Sequence, residues 1–129
     1  MPYNFTGVTV NYHAKLGVVS DGEVCTTDGY GQVVTRKLSP YTAFAANPVR
    51  ASTGLWSVTM KDSAVRVLDY DVRTLLTTGN YLGTQLKPTT KDANGRLVLN
   101  WVFNSAGTPT DLPANGQFIV YVKYSEVNV

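Results

Sequence analysis

Two apolar runs in the last third of the chain show the in–out alternation of β-strands. In the first run, one face carries Leu97, Leu99, Trp101 and Phe103, and the other carries Val98, Asn100 and Val102. In the second, one face carries Phe118, Val120, Val122 and Tyr124, opposite Ile119, Tyr121 and Lys123. A connection rich in Gly, Pro, Asn and Asp separates the runs. We therefore expect the two to pair in one sheet, onto which the remaining segments pack.

The rest of the chain divides into short apolar stretches about ten residues apart, with turn residues between them. Strand candidates lie at residues 5–12, 16–19, 33–38, 55–60, 65–76 and 81–86. Residues 23–31 are polar and indicate a loop with an embedded short strand, and residues 92–95 indicate a hairpin turn. Prolines and a glycine limit residues 41–52 to a helical turn at most. The pattern predicts an all-β, antiparallel β-sandwich, jelly-roll-like, with at most a short helical turn.

Length and composition are those of one globular domain. The chain has 129 residues, of which 43% are hydrophobic and 16% charged, enough to bury its own core. No repeat or linker is evident. We expect residues 1–129 to form a single β-sandwich domain, with residues 1–12 a candidate N-terminal arm.

Charge and special residues exclude several function classes. The formal net charge is only +2 and the basic residues are scattered, so we expect no nucleic-acid partner. No run approaches the ~20 apolar residues of a membrane span. The start of the chain does not resemble a secretory signal, so we expect synthesis in the cytoplasm. One cysteine and one histidine allow neither an internal disulfide nor a Cys/His zinc site, and we expect no cofactor.

One pair of carboxylates is a candidate for catalysis. Asp69 and Asp71 lie two apart on a predicted strand, so they point the same way with roughly 7 Å between their Cα atoms. This is near the separation of an inverting glycosidase pair, and eight Tyr and two Trp could bind a sugar. The alternative is a solvated strand face on which Arg66 and Arg73 offset the negative charge.

Two further groupings are weaker candidates. Asp21, Glu23 and Asp28 place oxygen ligands in one predicted loop, although their spacing is not that of an EF-hand and Asp-Gly pairs are common in turns. Cys25 and His13 could form a thiolate–imidazole pair. A lone cysteine in a β-protein is more often a buried apolar residue.

Aromatic residues near the start are candidates for contacts. Tyr3, Phe5 and Tyr12 lie in a segment without charge before residue 13. They can pack within the subunit or against a neighbour, and both interpretations stay open. Tyr121 on the closing strand is a further candidate contact with another subunit or a partner.

Two blocks and the closing strand that follows them resemble a known family. The blocks are Thr-Gly-Leu-Trp-Ser-Val-Thr-Met at 53–60 and Phe-Asn-Ser-Ala-Gly-Thr-Pro-Thr-Asp-Leu-Pro-Ala-Asn-Gly at 103–116. This order is similar to small virion structural proteins of tailed bacteriophages. They share a Gly-aromatic-x-Val-Thr strand, an Asn/Asp-Ala-Ala/Gly-x-Pro-x-Asp connection and a final aliphatic strand. The resemblance covers residues 53–125, and the closing strand here is more aromatic than the pattern. The first half of the chain matches nothing in it.

The resemblance implies a non-catalytic capsid decoration, or cement, protein on the outer capsid surface of a virion. Its partner would be the major capsid protein, and it would act as a homotrimer that bridges capsomers. Faces carrying Tyr121, or Val98 and Val102, are candidates for the trimer seam. One alternative is a phage tail or fibre module that binds host surface glycans. Another is a small β-sandwich carbohydrate-active enzyme that uses Asp69 and Asp71.

Overall fold

The computed structural model describes residues 18–29, 31–63, 65–75 and 82–125, and these form two antiparallel sheets packed face to face. The first sheet has the order β2-β1-β9-β5, and the second has the order β3-β4-β7-β6 with β8 paired to β7. The strands are β1 (Val18–Thr27), β2 (Val33–Lys37), β3 (Val49–Ser52), β4 (Leu55–Thr59), β5 (Arg66–Thr74), β6 (Gly83–Lys91), β7 (Leu97–Ser105), β8 (Thr108–Pro109) and β9 (Gln117–Ser125). The prediction of an all-β sandwich is confirmed.

The core lies between the sheets and is built around four aromatic rings. Phe118 of β9 packs against Trp56, Trp101 and Phe103 of the opposite sheet, with ring centroids 5.3, 6.0 and 5.2 Å away. All four side chains are at most 2% exposed. Trp56 and Phe103 meet Phe118 edge to face and Trp101 is tilted against it, and such ring contacts add to the free energy of burying their area. The inward alternation predicted for β7 and β9 is therefore confirmed.

The predicted pairing of the two C-terminal runs is wrong. β7 and β9 lie in different sheets and face each other across the core, with β4 and β6 beside β7 and β1 and β5 beside β9. The 11 residues between Ser105 and Gln117 are enough to include β8 and then cross to the other sheet. Placing two apolar faces opposite each other buries both, whereas side-by-side pairing would still need a second sheet to cover them.

Other local predictions are corrected. Residues 23–27, predicted as part of a loop, continue β1. β6 runs past Pro88 to Lys91, because an edge strand with an irregular register accommodates a proline. Residues 41–48 form no helical turn. They cross between the sheets, where Phe44 bridges to Met60.

The strand order does not confirm a jelly roll, and the single domain over residues 1–129 stays a prediction.

One polar contact joins the two sequence blocks that carry the family resemblance. Gly54, in the turn between β3 and β4, donates its N–H to Asp111 Oδ1 at 2.8 Å. Arg50 holds the same carboxylate through Nε and Nη2, each at 2.9 Å. This two-point ion pair lowers the pKa of Asp111, with the Arg50 hydrogen bond as the largest cause. The contact fixes the β3–β4 turn against the connection that leads to β9.

Candidate docking face

The outer surface of the first sheet carries an exposed tyrosine at its centre. Tyr121 of β9 is 45% exposed and is paired with Gly22 of β1 on one side and Asp71 of β5 on the other. A Cβ at Gly22 would lie 3.1 Å from Tyr121 Cδ1 and 3.3 Å from Leu38 Cδ1. The ring and the exposed Leu38 therefore occupy the space that the glycine leaves open. Together they form an apolar strip across the sheet.

Charged residues of both signs surround this strip. Arg73 Nε donates to Asp71 Oδ2 at 2.7 Å, which raises the pKa of the Arg73 guanidinium, with the hydrogen bond as the largest cause. Asp69 is paired in register with Lys123. We call the surface formed by Gly22, Leu38, Asp69, Asp71, Tyr121 and Lys123 the Tyr121 face. An aromatic centre with a charged margin is typical of a protein interface.

The structure brings Asp69 and Asp71 to the same face, as the sequence predicts, but not into an enclosing cleft. Beside them lies a hollow of about 120 Å³ that is also lined by Tyr121 and Lys123. Ligand clefts are usually ~300–1,000 Å³ and enclose most of the ligand. Asp71 is already paired with Arg73. The geometry agrees better with the alternative of a solvated strand face than with a glycosidase pair.

The proposed calcium ligands do not converge. Asp21 and Glu23 point into the sandwich and are almost fully buried, whereas Asp28 lies beyond the other end of β1, roughly 20 Å along the strand from Asp21. Asp21 accepts hydrogen bonds from Ser39 Oγ and from Ala43 N–H, each at 2.7 Å. Among the described residues, no group of three or more His, Cys, Asp or Glu side chains could hold a metal ion.

Asp21 instead anchors the segment that crosses between the sheets, and Glu23 pairs with the end of β2. Lys37 forms an ion pair with Glu23 and lies 3.9 Å from Asp21 Oδ2. Its Nζ also lies 5.5 Å from the centroid of the Phe44 ring. A buried charge is tolerated when it is paired. Asp21 is held by Ser39, Ala43 and Lys37, whereas Glu23 is held by Lys37 alone and its buried Oε2 has no hydrogen-bond partner among the described residues. Asp21 and Glu23 therefore have a structural role within β1, where the sequence pattern indicated a loop.

Cys25 has the properties of a buried apolar residue. It is 0% exposed, and burial, with a smaller contribution from Glu23, raises the pKa of its thiol to about 12. A nucleophilic cysteine requires a lowered pKa and access to substrate. Its suggested partner, His13, lies outside the described residues. The thiolate–imidazole hypothesis has no support from the position of Cys25.

The predicted contact residues have different outcomes. Tyr121 lies exposed on the face described above, whereas Tyr3, Phe5 and Tyr12 lie outside the described residues. Val98 and Val102 are half-buried on the outer surface of the second sheet, on either side of Asn100. Gly22 and Leu38 were not predicted from the sequence as part of this surface. A glycine inside a strand, which often marks the close approach of another group, was the available signal.

Comparison with protein-family models, with curated proteins and with solved structures finds no match to this chain. In the part of the chain that the structure describes, no helix has the length and apolar character to cross a lipid bilayer. The function must therefore be argued from the surface of the sandwich and from the sequence resemblance.

Proposed function

We propose that this chain is a non-catalytic structural protein that docks on a protein shell through its Tyr121 face. In line with the sequence resemblance, we propose that the shell is the capsid of a tailed bacteriophage. The chain would act as a decoration protein on the outer surface of the major capsid protein. The observation that carries the proposal is the exposed ring of Tyr121 at the centre of the first sheet.

The chemistry of the Tyr121 face supports binding to protein. Tyrosine is one of the residues that dominate binding energy at interfaces, because it buries a large rigid area at a small cost in side-chain entropy. The ring lies over Gly22 and close to Leu38, so a partner would meet an apolar strip. The ion pair of Asp71 with Arg73 lies at its margin, where charges set orientation more than affinity.

The rigidity of the body suits a mechanical role. A cement protein must transmit load between capsomers, and a sandwich with a close-packed aromatic core changes shape little. Each contact needs only the area of an ordinary interface, ~800 Å² per partner. Repetition over the shell multiplies the effect. A homotrimer is part of the proposal, with Tyr121, or Val98 and Val102, as candidate seam residues.

The test is binding of the purified protein to capsids that lack it. We expect co-sedimentation with expanded shells, greater resistance of those shells to heat, and a solution mass of three times the 14.0 kDa of one chain. Tyr121→Ser should weaken shell binding by roughly 30-fold or more if the ring is a central contact.

The alternatives predict different results. A fibre module would bind host cells or glycans and leave the heat resistance of the shells unchanged. An enzyme would turn over a carbohydrate substrate and lose that activity in Asp69→Asn. Either result, together with no affinity for shells, would contradict the decoration role.

A further inference from the structure

A second surface feature lies where the edge strands β5 and β6 face each other at the side of the sandwich. Here a groove of about 510 Å³ opens between the two sheets. Its walls include Val67 from β5, and Leu86 and Leu97 from β6 and β7. Leu86 pairs in register with the buried Trp101 and yet is 41% exposed. The groove therefore gives access to side chains that belong to the inner faces of the sandwich.

Hydrogen bonds close the same side of the sandwich farther along. Tyr70 donates its hydroxyl to the backbone carbonyl of Lys87 across the gap, and Thr74 Oγ1 donates to the carbonyl of Leu82 at 2.7 Å. Tyr70 also lines the groove, and burial raises the pKa of its hydroxyl. These bonds make the groove a bounded site with a fixed end, and not a general separation of the sheets.

Both edge strands have an irregular register at the groove. The register of β5 shifts between Val67 and Asp69, and Leu68 is the intervening residue. Leu68 lines the groove and is 45% exposed. The register of β6 shifts between Lys87 and Thr90, across Pro88. Such shifts and a proline interrupt the backbone pattern that an added strand would need. An occupant would therefore be recognised through side chains.

The charged residues at the groove are mainly basic. Arg66 and Lys91 line it, and neither forms an ion pair with another described residue. Asp69 is the one acidic residue on the lining. The lining thus combines a wall of leucine and valine side chains with two cations that have no ion-pair partner among the described residues. Such a mixed lining is complementary to a molecule that has an apolar body and one negative charge.

We propose that this groove binds a small amphipathic organic anion, of the class of a medium-chain carboxylate. The apolar chain would lie against Leu68, Leu86 and Leu97, and the carboxylate would face Arg66 or Lys91. This site goes beyond docking on a shell and does not depend on it. A result that rejects one of the two proposals therefore leaves the other unchanged.

The test is an NMR titration of the ¹⁵N-labelled protein with sodium decanoate below its micelle concentration. We expect one decanoate per chain with a Kd of about 0.1–1 mM and shifts centred on Leu68 and Leu86. Arg66→Gln and Lys91→Gln should each weaken binding roughly two- to fivefold. Leu86→Gln should weaken it roughly tenfold. Arg36→Gln and the 76% exposed Val34→Gln, both on β2, are the matched controls and should bind as the parent does.

An uncharged ligand separates the contribution of charge from that of the apolar wall. 1-Decanol should bind more weakly than decanoate. Its affinity for Arg66→Gln should equal its affinity for the parent protein. Shifts spread over other exposed apolar residues, or equal weakening by the control variants, would overturn the site. So would tighter binding of a blocked peptide of alternating leucine and glutamate, because that result would indicate strand addition.

Discussion

Gly54 provides the sharpest test of the described packing. It has a φ of +71°, and an added Cβ would lie 2.6 Å from Phe103 O and 2.7 Å from Thr110 N. Both neighbours are backbone atoms, so no side chain can rotate away. Gly54→Ala would therefore combine a left-handed backbone conformation with a clash on two sides.

The magnitude follows from these two costs, and Gly95 separates them. Left-handed backbone costs a residue with a Cβ ~1–2 kcal/mol, and forcing an atom into a filled space costs a further ~1–3 kcal/mol. Gly95 has a similar φ of +77°, but an added Cβ there meets nothing within 4 Å. We expect Gly54→Ala to lose about 2–5 kcal/mol of unfolding free energy and Gly95→Ala only about 1–2 kcal/mol.

The assay is urea unfolding of the parent and both variants, followed by tryptophan fluorescence. Trp56 is two positions from Gly54 and lies in the core, so the signal reports the relevant region. A larger loss for Gly54→Ala than for Gly95→Ala supports the contact between the β3–β4 turn and the connection to β9. Equal losses would refute it, because the backbone cost alone would then explain both.

Three further predictions concern Asp111, Cys25 and Gly22. Asp111 has a lowered pKa in the folded state, so its stabilising contribution is present above the ordinary carboxyl pKa and lost as the pH falls through the lowered value. Asp111→Asn should thus reduce the urea midpoint at pH 7, and the difference should shrink below pH 3.8. A difference unchanged at low pH would contradict this. Cys25 should resist iodoacetamide at pH 8 until the protein is unfolded, and rapid labelling of the folded protein would show that the thiol is accessible. Gly22→Ala should weaken shell binding by displacing the Tyr121 ring, with a loss of unfolding free energy of no more than about 1–3 kcal/mol, because the added Cβ would also lie 3.2 Å from the Val120 carbonyl oxygen. Unchanged binding would show that the position of the ring is unimportant.

The sequence allowed the prediction of strand faces but not of strand partners. Alternation identified the inward side chains of β7 and β9, because a period of two is a local property. It did not show that the two strands lie in opposite sheets, since a strand with one apolar face fits either arrangement. Asp21 and Glu23 on the inward face of β1 broke the alternation there. Lys37 pairs with Glu23 and Ser39 with Asp21. These contacts allow a polar segment that resembles a loop in sequence to lie in a strand.

The candidate surfaces were predictable only in part. Tyr121 could be assigned to an outer face because it alternates with the apolar residues of its own strand. Leu38 could not be placed beside it, because only the pairing of β1 with β2 and β9 brings the two together. The groove between β5 and β6 depends on two register shifts. Of the two shifts, only the one in β6 has a signal in the sequence, and that signal is Pro88.

Affinity for phage shells lacking the protein, measured for Tyr121→Ser against a matched change elsewhere, tests the central claim most directly. Val49 on β3 is also an exposed large apolar residue, but it belongs to the second sheet, so Val49→Ser is the control. We predict that the parent and Val49→Ser bind equally well and that Tyr121→Ser binds roughly 30-fold or more weakly. Equal binding of all three, or no binding of the parent protein, would contradict docking through the Tyr121 face.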